Sequence, residues 1–143
     1  MKEKTIIIRS RLSELAAIRS EAETFFGPHL DPLILNRVIL SIDEAVSNII
    51  RHGYAGSENG RIELELKCNG ESITIILSDD APPFNPLGYE SPDVESHFDE
   101  GKSGGLGIDL YRRMMDVSYE QRPSGGNRLI MKKEIPQHEQ LKS

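Results

Sequence analysis

The stretch from Arg61 to Leu77 constrains the fold most. Ile62, Leu64, Leu66 and Cys68 alternate with Glu63, Glu65 and Lys67, Asn69-Gly70 follows, and Ile73, Ile75 and Leu77 resume the alternation. A period of two places every apolar side chain on one face of a strand, and Asn-Gly is the favoured two-residue hairpin turn. The chain is thus committed to an antiparallel hairpin with one greasy face, which a second layer has to cover.

Two upstream segments are predicted to supply that layer. From Ser13 to Phe26, Leu15, Ala16, Ile18, Ala22, Phe25 and Phe26 recur mostly at three- and four-residue steps, and Gly27-Pro28 ends the helix they imply. Asp31-Pro32 reads as an N-cap with proline at the first helical position, opening a helix that runs to about His52 and stops at Gly53. Its stripe of Leu35, Val38, Ile39, Ile42, Ala45, Val46 and Ile49 faces the core. Arg37, Ser41, Glu44, Asn48 and Arg51 fall on another face, with Glu44 and Asn48 one turn apart. Ahead of both helices, Thr5 to Arg11 with Ile6-Ile7-Ile8 reads as a short strand that opens the sheet.

Beyond the hairpin, about 25 residues from Asp79 to Ser103 carry Pro82, Pro83, Pro86 and Pro92 with no periodicity, a length that in a compact domain signals function or mobility. Helical spacing returns at Leu106, Leu110 and Met114. Val117 to Arg122 and Arg128 to Ile135 read as two strands joined by a Pro123-to-Asn127 turn.

Charge and cysteine content exclude several function classes. Seventeen Lys and Arg against 23 Asp and Glu give a net charge of −6, with the cations scattered, so no basic stripe exists for nucleic acid. Cys68 is alone and the four histidines lack zinc-ligand spacing, which fits a reducing compartment. No apolar run approaches the roughly 20 residues of a membrane span, and the first residues are too briefly apolar for a signal peptide. A cytoplasmic location, without membrane or nucleic-acid partners, is expected.

Three features carry candidate chemistry. Glu44 with Asn48 offers a carboxylate and a carboxamide oxygen for a hydrated hard cation and a general base, or else an ordinary exposed polar face. Asp79-Asp80-Ala81-Pro82-Pro83-Phe84-Asn85-Pro86 follows a strand end, where it could fix a carboxylate for a ligand or form a simple turn. Gly101-Lys102-Ser103-Gly104-Gly105-Leu106-Gly107 opens a helix whose backbone N–H groups suit phosphate oxygens. It is no Walker motif, because Lys and Ser precede the glycine pair.

The order of these pieces is more specific than any one of them. Glu-x-x-x-Asn on a helix, a strand ending in Asp-x-small-x-Pro-Phe, and Gly-Gly-x-Gly before a helix resemble the nucleotide-binding elements of Bergerat-fold ATPases. With His52-Gly53-Tyr54 and Gly125-Gly126-Asn127-Arg128-Leu129 added, nearly the whole chain is similar to the short anti-sigma-factor serine/threonine kinases of bacterial partner switching. The implied fold is a two-layer α/β (α+β) sandwich. It has a mostly antiparallel mixed sheet of about five strands covered on one face by helices, in a single domain over residues 1–135 with a polar tail over 136–143.

The resemblance also implies roles. Glu44 would be the general base toward a partner serine, Asn48 the Mg2+ ligand, and Asp79, rather than Asp80, the acceptor for the adenine amino group of ATP, since Phe84 lies five residues on. Glycine is usual where this chain has Ala81, whose methyl would crowd the purine or restrict φ. Gly104, Gly105, Leu106 and Gly107 would wrap the phosphates, with Lys102 and Ser103 as β- and γ-phosphate contacts; the acidic run Asp93 to Glu100 before them opposes phosphate. His52 and Tyr54 are read as structural, and Asp43 and Arg51 as surface charges. The implied partners are an anti-anti-sigma (STAS-type) protein as substrate, a sigma factor as target, and a second copy of the chain joined near the first strand and helix. The competing function is a non-catalytic ATP-binding module that regulates a protein by binding alone. Retention of Glu44 favours the kinase, since a pure binder has no use for a base.

Overall fold

Every strand of the sheet is antiparallel to its neighbours. The computed structural model describes residues 2–83 and 111–136. Within them run β1 (Lys2–Arg9), α1 (Leu15–Phe26), α2 (Pro32–Asn48), β2 (Arg61–Cys68), β3 (Ser72–Asp79), β4 (Asp116–Gln121) and β5 (Asn127–Glu134), in the sheet order β1-β2-β3-β5-β4. The mixed sheet expected from the family is thus antiparallel throughout the described residues. Phe84, Lys102, Ser103, Gly104, Gly105, Leu106 and Gly107 lie outside those residues, as does the tail from Gln137.

The hairpin of β2 and β3 has the predicted bounds, with Ile62, Leu64, Leu66, Ile73, Ile75 and Leu77 all buried on the helix side. Its turn is displaced by one residue from the Asn69-Gly70 centre. Asn69 pairs with Ser72, donating its N–H to the Ser72 carbonyl at 3.2 Å, while its Oδ1 accepts from the N–H groups of Glu71 and Ser72. Gly70, at φ +89°, takes the first central position that a type II′ turn reserves for glycine.

The Asp31 cap works as its sequence implies: Oδ1 accepts from Leu33 N at 2.9 Å and from Ile34 N at 3.0 Å. α1 is preceded by a 3-10 turn at Leu12–Glu14. Ile18, Ala22 and Phe26 of α1 and Val38, Ile42, Ala45 and Val46 of α2 interlock above the sheet. Each fully buried aliphatic side chain contributes about 2 kcal/mol. The opposite sheet face carries Glu63, Glu65, Lys67 and the exposed Ile7 of edge strand β1.

Two parts of α2 depart from expectation. The last turn, Ile49–Gly53, is a π turn, with Tyr54 N donating to Ile49 O at 2.9 Å. The second face is also not an exposed polar face, because Ser41 and Asn48 are buried. Residues 111–115 cover it: Ser41 Oγ approaches Met114 Sδ at 3.7 Å and donates to Arg37 O at 2.9 Å. A covering segment more than 60 residues downstream leaves no trace in the local period of α2.

β3 and β5 meet where Asp79 stands opposite Asn127. Gly126, at φ +92°, makes that approach possible, since a Cβ there would stand 2.0 Å from the Asp79 carbonyl oxygen. Gly126→Ala is expected to cost roughly 2–4 kcal/mol in urea unfolding. Gly56→Ala, also at positive φ but with nothing within 4 Å of the added carbon, is expected to cost about 1 kcal/mol. Equal losses at the two sites would show that the close approach is not the constraint.

Candidate functional site

A cleft of about 340 Å3, its open mouth included, lies between the C-terminal end of α2 and the β3, β5 and β4 side of the sheet. Ala45, Asn48, Ile49 and Gly53 form the helix wall; Asp79, Tyr119, Asn127 and Leu129 form the sheet wall; Tyr111 closes one side. The π turn widens the helix where it meets this space, as π turns at ligand sites commonly do.

Asp79 is the charged group of the sheet wall, and it is only 3% exposed. Oδ1 accepts from Ala81 N at 3.0 Å and from Asn127 Nδ2 at 2.9 Å. Oδ2 has no partner among the described residues. Burial pushes the Asp79 carboxyl above the ordinary carboxylate value, against the pull of the Asn127 and Ala81 donors, with a further push from Asp80 and an opposing effect of Arg122. The strand end is also clamped from outside. Arg122 Nη1 donates to Asp79 O at 2.9 Å and to Asp80 Oδ1 at 2.8 Å. Tyr54 Oη accepts from Asp80 N at 2.8 Å and donates to the Arg61 carbonyl, which gives Tyr54 the structural part its sequence position implied.

On the helix wall, Asn48 is 3% exposed, and its Nδ2 is buried with no hydrogen-bond partner among the described residues. Glu44, one turn earlier, is half-buried. Asp43 points elsewhere, paired with Arg19 at 2.8 Å. The structure therefore brings Asn48 and Asp79 to one cleft, with Glu44 one turn from Asn48 along the helix.

Ala81 is buried but does not line the cleft. Its Cβ lies 3.3 Å from where a Cβ on Gly53 would stand, so the methyl is tucked against the π turn, and its backbone avoids positive φ. Three lining residues escaped the sequence-based assignment of roles: Tyr111, Tyr119 and Asn127. Asn127 was legible as part of a turn and of the closing family motif, without a role of its own; its Nδ2 also reaches Pro82 O at 3.2 Å, and its Oδ1 accepts from the Tyr119 hydroxyl. The available signal was a carboxamide directly after Gly-Gly at the head of an apolar strand.

A carboxyl raised by burial has a definite linkage sign. Asp79 in the folded chain holds its proton to higher pH than in the unfolded chain, so its contribution to stability is full below the ordinary value of 3.8 and is lost as pH rises through the folded value. Asp79→Asn keeps an oxygen for both donors and removes the buried charge. It is expected to unfold at higher urea than the wild type at pH 7, with the difference shrinking toward pH 4. A variant less stable than the wild type at pH 7 would contradict the desolvation argument.

Comparison with known proteins identifies the family of the chain. The histidine kinase-like ATPase domain family matches residues 8–133. An anti-sigma F factor of Clostridium botulinum (strain Eklund 17B) is 33% identical over 134 residues, covering 86% of this chain and 88% of its own. The anti-sigma F factor of Clostridium beijerinckii is 29% identical over 133 residues, with the same coverage. The serine/threonine-protein kinase BtrW of Bordetella bronchiseptica is 28% identical over 92 residues, 64% of this chain and 65% of its own. In fold, the chain superimposes with a TM-score of 0.64 and 13% identity on the crystal structure of the RsbU and RsbW domains of Rv1364c from Mycobacterium tuberculosis; the match covers 95% of this chain and 34% of that one. With a family match over nearly its full length and relatives of equal size, the chain belongs to the histidine kinase-like ATPase domain family.

Proposed function

We propose that this chain is an ATP-dependent serine/threonine protein kinase that phosphorylates an anti-anti-sigma (STAS-type) protein and sequesters a sigma factor, acting in the cytoplasm as a homodimer. The observation that carries the reading is the half-used carboxylate of Asp79. Oδ1 is occupied by Asn127 and Ala81, while Oδ2 is left as an acceptor at a cleft. An exocyclic amino group, such as the one adenine carries at C6, is a donor that such an oxygen suits. The names of the relatives, anti-sigma F factor and serine/threonine-protein kinase, support the catalytic part.

The residues fit a metal nucleotide. Asn48 presents a buried carboxamide at the cleft whose Nδ2, a donor, has no partner among the described residues, and its oxygen would be enough protein anchorage for Mg2+, which retains waters and takes its other ligands from phosphate. Bound there, the ion would neutralise phosphate charge. Glu44 stands a turn from Asn48, where it accepts the proton of a partner serine as that oxygen bonds to the γ-phosphorus and the bond to the β-phosphate oxygen breaks. Gly104, Gly105, Leu106 and Gly107, with Lys102, Ser103 and Phe84, complete the nucleotide site in this reading. Ala81 is not among the residues lining the cleft, its methyl lying near Gly53, which supports a site that tolerates alanine there.

Calorimetry and phosphotransfer test the reading together. Asp79→Asn is expected to weaken Mg·ATP binding by about tenfold or more, as expected for a lost bond to a charged acceptor. Glu44→Ala is expected to keep ATP binding and lower transfer to a STAS-type partner by about 10²- to 10⁴-fold. Binding without transfer in the wild type would establish the non-catalytic module instead, and no binding at all would overturn the nucleotide site.

A further inference from the structure

Asn127 is 5% exposed and lines the cleft beside Asp79, toward which it turns its donor end. Nδ2 donates to Asp79 Oδ1 at 2.9 Å, to Pro82 O at 3.2 Å and to Ala81 O at 3.4 Å. At the other end of the carboxamide, Oδ1 accepts from the Tyr119 hydroxyl. An amide bonded through both ends in this way has a single orientation, with the N–H groups on the carboxylate.

The result is an asymmetry in what Asp79 has left to offer. A carboxylate oxygen has room for about two donors, and Oδ1 already takes Asn127 Nδ2 and Ala81 N, the latter at 3.0 Å. Ala81 does not line the cleft and Asn127 does, so Asn127 is the donor that fills Oδ1 from the cleft side. Purines differ in how many donors they bring to such a group. Adenine presents one exocyclic amino group, flanked on the same edge by the acceptor N1, which gains nothing from a second carboxylate oxygen. Guanine presents N1–H and the 2-amino group as two parallel donors, an arrangement that suits both oxygens of a carboxylate at once. An aspartate with both oxygens open therefore favours guanine, and one with a single open oxygen does not.

We infer that Asn127 is a specificity-determining residue: by filling Oδ1 of Asp79 it denies guanine its paired contact and leaves the single acceptor that adenine uses. The inference rests on the nucleotide-site reading above. It gives the Tyr119 hydroxyl a part as well, since that bond holds the carboxamide in the orientation that covers Oδ1.

The test is calorimetric titration with Mg·ATP and with Mg·GTP, at about pH 8 so that Asp79 stays ionised in each protein that retains it. Wild type, Asn127→Ala, Asp79→Asn and the double variant are compared, with urea unfolding of each. Asn127→Ala is expected to lower the ratio of ATP to GTP affinity by about tenfold or more, as one added hydrogen bond to a charged acceptor implies. Lost packing weakens both nucleotides together, so the ratio separates the two effects. In the Asp79→Asn background the same change is expected to leave the ratio where it was, because the paired acceptor is gone. Asn127→Ser, whose hydroxyl falls short of Oδ1, is expected to give the same fall and serves if the alanine variant does not fold. An unchanged ratio in the folded variant, or a fall that persists without the Asp79 carboxylate, would overturn this inference alone. A wild type that binds both nucleotides equally would do the same. A wild type that binds neither would overturn the nucleotide site and this inference with it.

Discussion

The arrangement depends on keeping one carboxylate, Asp79, out of water at the end of the central strand. Desolvation opposes the charge, and the surrounding backbone is organised to offset it. β3 lies between β2 and β5, so donors can reach its end from the β5 side. Gly126 lets β5 approach to a distance no side chain would permit, and that approach delivers Asn127 Nδ2 to Oδ1. Arg122, from the loop before Gly126, holds the carbonyl of the same residue. Satisfaction stops short of complete, because both donors go to one oxygen. The carboxylate is thereby positioned through Oδ1 and left available through Oδ2, a division that a purely structural buried aspartate has no reason to keep.

The helix wall follows the same logic with a neutral group. α2 begins with a strong cap and ends in a π turn, where the extra residue per turn opens room beside Asn48 and brings Gly53 against Ala81. The seam between Gly53 and Ala81 is a matched pair: a small residue on the helix accommodates a methyl on the loop. The residue that departs from the family pattern thus makes a packing contact with Gly53 and is not among the residues lining the cleft. Position 81 is constrained from the Gly53 side, and the shape of the cleft is set by Asn48, Tyr111 and Asn127.

How much of this was legible follows from how local each cause is. The hairpin, the Asp31 cap and the strand bounds near Asp116 and Asn127 depend on neighbours within a few residues, and the sequence revealed them to within a residue or two. Family membership was legible because the order of several short motifs is informative where each alone is weak. The burial of Ser41 and Asn48 was not, since it is imposed by residues 111–115 across a long separation in sequence. Asn127 and Tyr111 were misjudged for a related reason. Asn127 stood in a turn and in the closing family motif without a role of its own, Tyr111 was not singled out, and only the tertiary approach of α2, β3 and β5 brings both to one cleft.

On the proposed reading, burial separates the two helix residues by duty. Asn48 is enclosed, which suits a neutral group that can hold a cation in a dry cleft without bringing a second desolvated charge beside Asp79. Glu44, half-buried one turn before Asn48, stays reachable on that reading by a group arriving from outside. Exchanging the two would put a second anion next to Asp79 and a neutral amide where a proton has to be accepted. The pattern Glu-x-x-x-Asn therefore has a direction, with the charge toward the approach side and the carboxamide within. On the proposed reading, that direction is what a kinase requires, because the nucleotide enters from the cleft and the accepting hydroxyl belongs to another protein.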